Sequence, residues 1–564
     1  MSEPTRKLPP PTVEKDGSLV AHTVATPKSF KVRALVEVPP DKVVPIIFIP
    51  GMMGTNLRMR QGAVLPPEDG VKSGETAWRP PNGKLEGVTE VWTWSRRTPA
   101  QRQDILDGEK LEVDASGSLP GSTLTAQQMR EQGWGEVHAD SYGSFLASLQ
   151  ENLETTFEHA GSQRRIKEHW RVVMACDAAR WGVRSMAPLS EAELEKFAGY
   201  YYPVYAVGYN WLQSCAQSAD RIRKRVQEII KHWQSVQREC KHVILVTHSM
   251  GGLVGRACAK QMPGQVAGVI HGVMPAFGAP VAYRRIACGT EGSRFERGMS
   301  SHVNEDGFAR IAGNTAETTT PVMAVAPGVM ELLPNQFYPP GWLVVRTVRS
   351  VNKELESREL LSLPQGNPYD FYRDMDSWYR MIDPALVDPR RRYIWRQGGA
   401  ARQAKKAVDT AEHFHSNVLA EQQAGGRQEG EGSSVKPYYH PMTYAFYEAD
   451  LARRAFGKIR WVAQEAGGAV ALTANNVRQA RLVKCQQDGS RDVDVDGRYR
   501  LQFRPWLQDA AGDDTVPAQS GAGPGGHVGQ LFRTSGFSHQ ESYQDRDVLL
   551  LTQYLIAKLA QSFT

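Results

Sequence analysis

The chain has 564 residues, 41% hydrophobic and 23% charged, which excludes a disordered or fibrous protein and allows roughly two to four domains, or one large α/β domain with insertions. A net charge of only +6, with no long run of Lys or Arg, argues against nucleic acid as a partner. Six scattered cysteines without a C-x-x-C pair, no apolar run of membrane-spanning length and no apolar core in residues 1–17 lead to the expectation of a protein made in a reducing compartment without a Sec signal peptide.

Residues 1–40, rich in Pro, Lys and Glu, read as an N-terminal arm. The apolar strand from Val43 to Ile49 then empties into Pro50-Gly51-Met52-Met53-Gly54-Thr55, a Gly-rich turn able to turn a backbone N–H outward. From about 58 to 134 the sequence becomes polar and rich in Gly and Pro, with scattered Trp78, Trp92 and Trp94, and is expected to run over the surface. Helical spacing returns between Tyr142 and Phe157 through Phe145, Leu149 and Leu153. A buried strand from Tyr202 leads through Trp211 to an amphipathic helix, Ala219 to Val236, with Ile222, Val226, Ile229 and Trp233 on one face.

The stretch Lys241–Lys260 carries the strongest signal. Val243 to Val246 is an unbroken apolar run, Thr247-His248-Ser249-Met250-Gly251 follows, and a helix begins at Gly252. A strand, sharp turn and helix with serine at the turn is the shape of a nucleophile elbow, in which small residues around the serine let strand and helix pass closely. Thr247 departs from that pattern, standing where the first glycine belongs. With Ser249 as nucleophile, the N–H of Met52 and that of Met250 become the expected oxyanion-hole donors. His248, beside the serine in a tight turn, is expected to point away and pack.

Another strand, Val266 to Val273, precedes Phe277-Gly278-Ala279-Pro280. The alternation of strand and helix predicts an α/β fold, a mostly parallel sheet flanked by helices, with core residues 41–283. Between 284 and 499 the rhythm is lost, and this region reads either as a cap over the site or as a second packing domain, interrupted by a low-complexity loop from Glu421 to Ser434. Inside it, Asp492, Asp494 and Asp496 match the first half of a calcium loop, but Phe503 stands where the bidentate glutamate is required; the same residues read as a strand entering a hairpin turn. No other cofactor is expected. His413, His415 and His440 are the remaining metal-capable residues of the insertion, with surface positions the plainer reading.

The core resumes at 500–564 with a strand from Arg500 to Leu507, the turn Gly512-Asp513-Asp514-Thr515-Val516-Pro517, a last strand from Val528 to Arg533, the loop bearing His539 and a closing helix from Asp547. Nucleophile, acid, histidine is the chain order of the α/β-hydrolase triad. Asp513 is the preferred acid and Asp514 the runner-up, while His527 begins the last strand instead of leaving it. The expected fold is therefore an α/β hydrolase with a large inserted cap, and Ser249, Asp513 and His539 are its expected triad.

The segments at 50–55, 247–252 and 512–517 resemble lecithin:cholesterol acyltransferase-like and GPI-inositol-deacylase-like lipases. The wider layout, with Gly133-Trp134-Gly135-Glu136-Val137 before a helix and a long insertion, resembles bacterial type VI secretion phospholipase effectors. That resemblance implies hydrolysis of membrane glycerophospholipids, a cognate immunity protein, a secretion spike protein as carrier, and delivery into the periplasm of a target cell. A general lipase or esterase acting on neutral esters or a storage polymer, and a non-catalytic binding protein on a hydrolase scaffold, are the alternatives.

Overall fold

The computed structural model describes residues 5–21, 33–160, 163–292, 303–351, 354–393, 395, 398–421, 436–465 and 472–563. Six strands build the central sheet: β1 (Ile46–Ile49), β2 (Val204–Ala206), β3 (Val243–His248), β4 (Val266–Gly272), β5 (Thr443–Glu448) and β6 (Gln530–Thr534). Their order is β2-β1-β3-β4-β5-β6, and every neighbouring pair is parallel. The helices that bear on the site are α1 (Gly83–Arg96), α2 (Ala139–Glu154), α3 (Cys215–Ser235), α4 (Gly251–Gln261), α5 (Val303–Ala312) and α6 (Arg546–Ala560).

Parallel strands need crossovers that cover both faces of the sheet, so alternate side chains of one strand serve two different cores. Ile47, Ile49 and Leu245 share one core with Ile222, Val226 and Ile229 of α3. Ile46, Phe48, Ile244 and Val246 share the other with Leu146 and Leu149 of α2 and Leu551 and Leu555 of α6. This covered parallel sheet, with its serine turn at the end of β3, is the α/β-hydrolase fold.

Two regions differ from the sequence reading. Residues 58–134 are not a surface excursion. Leu57–Met59 pairs antiparallel with both Thr76–Trp78 and Leu111–Val113. Trp78 and Trp94 are buried, with Trp78 edge-on to both Trp94 and Trp211 at 5.5 Å; only Trp92 of the three is exposed. The polar composition concealed this because the tryptophans find their partners across the chain and not at helical or strand spacing.

The division into a cap at 284–499 and a core from 500 also changes. Thr443–Glu448 inside that span is β5 of the central sheet, whereas Tyr499–Pro505 joins a second six-stranded sheet. That sheet runs in the order Glu354–Leu363, Leu343–Val351, Ile459–Gln464, Tyr499–Pro505, Arg491–Val495, Arg481–Cys485. Thr443–Glu448 lacks Val and Ile, so its aromatic run gave no parallel-strand signature. In the arm, Thr5–Lys7 pairs with Arg33–Leu35. Of the low-complexity loop, only Glu421 falls within the described residues.

Candidate active site

Ser249 stands between β3 and α4 with a φ of 53°, left-handed backbone that a serine adopts only where its surroundings enforce it. Its N–H donates to the Gly272 carbonyl at 2.9 Å, tying the turn to β4. Gly251 is required next: a Cβ there would sit on the carbonyl oxygens of Ile49 and Pro50. The unexpected Thr247 is accommodated one helical turn later. Its methyl lies 2.7 Å from where a Cβ on Gly255 would be, so the smallness that lets strand and helix approach is supplied by Gly255, and the Thr247 hydroxyl pairs with His271 Nδ1 at 2.8 Å.

The structure brings the three expected triad positions together. His539 Nε2 lies 2.7 Å from Ser249 Oγ, and His539 Nδ1 lies 2.7 Å from Asp513 Oδ2. The other Asp513 oxygen accepts from the N–H groups of Val516 at 2.6 Å and Thr515 at 3.1 Å, which orients the carboxylate. The His539 N–H in turn donates to the Asp513 carbonyl at 2.8 Å. Asp514 points elsewhere, 3.4 Å from Arg453 and with a φ of 73°.

Met52 lies in a turn closed by the Gly54 N–H donating to the Gly51 carbonyl at 3.1 Å, and Met250 caps the start of α4. Among the described residues neither the Met52 nor the Met250 N–H has a hydrogen-bond acceptor. Met250 follows Ser249 in the chain, at the positive end of the α4 dipole, and Met52 lines the same cavity as Ser249. The cavity that opens onto Ser249 and His539 has a volume of about 1710 Å³, and Met53, Val91, Met323, Val329 and Leu332 are among its apolar walls. Trp92 of α1, Phe308 of α5 and Trp506 stand exposed along it.

Other expected positions fall outside this cluster. Asp492 and Asp494 lie on a strand whose hairpin turn carries Asp496. Asp492 accepts from Gln486 at 2.7 Å and Gln502 at 3.2 Å, and Asp494 faces Arg481 at 3.5 Å. The aspartates thus form a hairpin and not a calcium loop, and among the described residues no group of three metal-capable side chains converges. His415 and His440 are buried and not on the surface, while His527 stacks on Tyr439 at 6.1 Å.

Sequence reasoning missed Glu448, at the end of β5. One oxygen of its carboxylate accepts from the N–H groups of Gly536 at 2.9 Å and Phe537 at 3.3 Å in the loop that carries His539. Its second oxygen is buried, with no hydrogen-bond partner among the described residues. Burial, with the charge of Asp513 adding to it, pushes this carboxyl up to about 8. Nothing in local sequence signals such a residue, because its partners lie some ninety positions away.

A family profile described as a PGAP1-like alpha/beta domain matches residues 212–326. No curated protein matches the chain in sequence. Among solved structures, a chain of the Tle4–Tli4 complex superposes with a TM-score of 0.69 at 26% identity, over 92% of this chain and 99% of that one. Phospholipase PlaB from Legionella pneumophila matches at a TM-score of 0.15 and 10% identity, over 54% of this chain and 71% of that one, too weakly to bear on the fold. The protein is an α/β hydrolase similar to the PGAP1-like domain and to a chain of the Tle4–Tli4 complex. Among the described residues no helix is long and apolar enough to cross a membrane.

Proposed function

We propose that the protein is a serine-dependent lipase that hydrolyses carboxylic ester bonds of membrane glycerophospholipids. The observation that carries this reading is the Asp513–His539–Ser249 chain of contacts, 2.7 Å at each link, opening onto a largely apolar cavity of about 1710 Å³. Such a volume exceeds the roughly 300–1,000 Å³ of small-ligand pockets and suits a substrate with long acyl chains. In this reading Ser249 Oγ attacks the ester carbonyl carbon as its proton passes to His539 Nε2, while Asp513 holds the ring in the required tautomer. The N–H groups of Met52 and Met250 receive the oxyanion. Collapse expels the glycerol oxygen, which takes the proton from His539 and leaves as a lysophospholipid. Water then attacks the acyl-serine with His539 again as base, releasing the fatty acid and regenerating Ser249.

The resemblance to type VI effectors and the likeness to a chain solved in the Tle4–Tli4 complex support an antibacterial role, with a cognate immunity protein, a secretion spike protein as carrier and the target periplasm as site of action. Product analysis by mass spectrometry on vesicles with distinguishable acyl chains tests the enzymology. Wild type should release fatty acid and lysophospholipid, and Ser249→Ala should lose about 10³-fold or more in turnover while keeping its melting temperature. A fall of less than about tenfold would remove Ser249 from its role. Cleavage of short soluble esters alone would favour the general esterase.

A further inference from the structure

His248 and Tyr142 lie next to the proposed triad and take no part in the chemistry above, yet both are 1% exposed and polar. Their hydrogen bonds run in one sequence whose direction is set by its two ends. The Gly51 N–H, which can only donate, lies 3.1 Å from the Tyr142 hydroxyl. That hydroxyl lies 2.8 Å from His248 Nδ1, and His248 Nε2 lies 2.9 Å from the His539 carbonyl, which can only accept. The Tyr142 oxygen therefore accepts from Gly51, its proton goes to His248 Nδ1, and the neutral imidazole carries its own proton on Nε2 toward His539.

We infer that Tyr142 and His248 are positioning residues, a buried hydrogen-bonded relay that holds the oxyanion loop and the backbone of His539 in register across the nucleophile turn. This inference rests on the proposed triad and extends it. The Gly51 carbonyl accepts from Gly54. In a trans peptide the next N–H, that of Met52, points the opposite way, out of the turn. The Gly51 N–H on Tyr142 and the Gly51 carbonyl on the Gly54 N–H together hold the two peptide planes that flank Gly51, and with the second of them the direction of the Met52 N–H. At the far end, His539 is held through its carbonyl by His248 and through its N–H and Nδ1 by Asp513. Gly51 itself must lack a side chain, since a Cβ would lie 2.7 Å from His248 Nδ1 and 3.0 Å from Ser249 Cβ. Burial presses His248 down to about 3 and raises the Tyr142 phenol, so neither gains nor loses a proton in the working range and His248 is not a second general base.

The test uses the full-length protein and a soluble ester, with Ser249→Ala and fluorophosphonate labelling of wild type as the control for the triad itself. Tyr142→Phe and His248→Leu, which keep volume and lose the relay, should lower kcat roughly 10–100-fold with KM within about twofold. His248→Gln, whose amide keeps a donor toward the His539 carbonyl, should recover most of the loss, and the double variant should be no worse than the worse single one. Lowered melting temperature with kcat within about twofold of wild type would overturn the relay while leaving the triad standing; unlabelled, inactive wild type would remove both. A readout independent of activity is 15N-histidine NMR on Ser249→Ala protein, in which the resonance abolished by His248→Gln should be a neutral Nε2–H tautomer from pH 8 to pH 5. A proton on Nδ1, or titration within that range, would sink the proposal.

Discussion

Two adjacent aspartates separate a catalytic from a structural reading at the scale of single residues. Asp513 faces the His539 ring, whereas Asp514 faces Arg453. Asp513→Asn should lower kcat about 10⁴-fold by stabilising the wrong imidazole tautomer, and Asp514→Asn should change it by less than about tenfold, measured on one soluble ester. Glu448 gives a pH prediction. Burial and the nearby carboxylates Asp513 and Asp450 lift its carboxyl from the ordinary 4.5 to about 8, against the pull of the Gly536 and Phe537 N–H groups. Between those values the folded protein binds a proton that the unfolded chain has lost, so this group's contribution to stability is complete below about pH 4.5 and disappears as pH rises toward 8. Glu448→Gln keeps an acceptor for both N–H groups and has no proton to lose. Its stability relative to wild type should therefore rise by on the order of 1–3 kcal/mol between pH 5 and pH 8.5, read as melting temperatures at the two values. An unchanged difference would mean that Glu448 stays ionised in the fold.

The strand-to-helix turn between β3 and α4 shows how elements constrain sequence. Glycines at the two ends of α4 are not interchangeable: Gly251 is pressed against backbone oxygens, whereas Gly264, just beyond α4, has nothing among the described residues within 4 Å of its missing side chain. Backbone atoms cannot move aside as a side-chain end can. Gly251→Ala should therefore lower stability by about 1–3 kcal/mol, and Gly264→Ala should be neutral or slightly stabilising. Thermal melts of the two variants compare them directly, and equal melting temperatures would contradict the close approach described for the elbow.

Across the whole molecule, the two large insertions are tied to each other as well as to the sheet. Arg390, in the long second insertion, donates to Asp104 at 2.6 Å and to Asp69 at 2.8 Å, both buried carboxylates of the first insertion. Arg392 supports Asp104 from the other side. Burial and the charge of Asp104 raise the Asp69 carboxyl, opposed by Arg390. Arg390→Ala should cost roughly 2–3 kcal/mol, because it strands buried charge while Arg392 retains part of the neutralisation, and Arg390→Lys should recover little of it since one ammonium cannot span two carboxylates. A melting temperature within 1–2 °C of wild type for Arg390→Ala would show the clamp to be energetically idle.

The amino-acid sequence by itself determined what depends on short stretches of chain: the serine turn after Val243–Val246, the Gly-rich turn after Ile49, the Gly512–Pro517 turn, and the order in which serine, acid and histidine follow one another. Strand exits of this kind are written in a few consecutive residues, because steric fit at a tight turn leaves little choice of side chain. Only the tertiary structure decided that Thr443–Glu448 belongs to the central sheet and Tyr499–Pro505 does not, that Trp78 and Trp94 are core, and that Tyr142, His248 and Glu448 surround the histidine loop. The contacts of Tyr142, His248 and Glu448 join residues some 90 to 290 positions apart. Hydrophobic periodicity cannot register them, since burial and hydrogen-bond satisfaction there are properties of the packed molecule and not of any one segment.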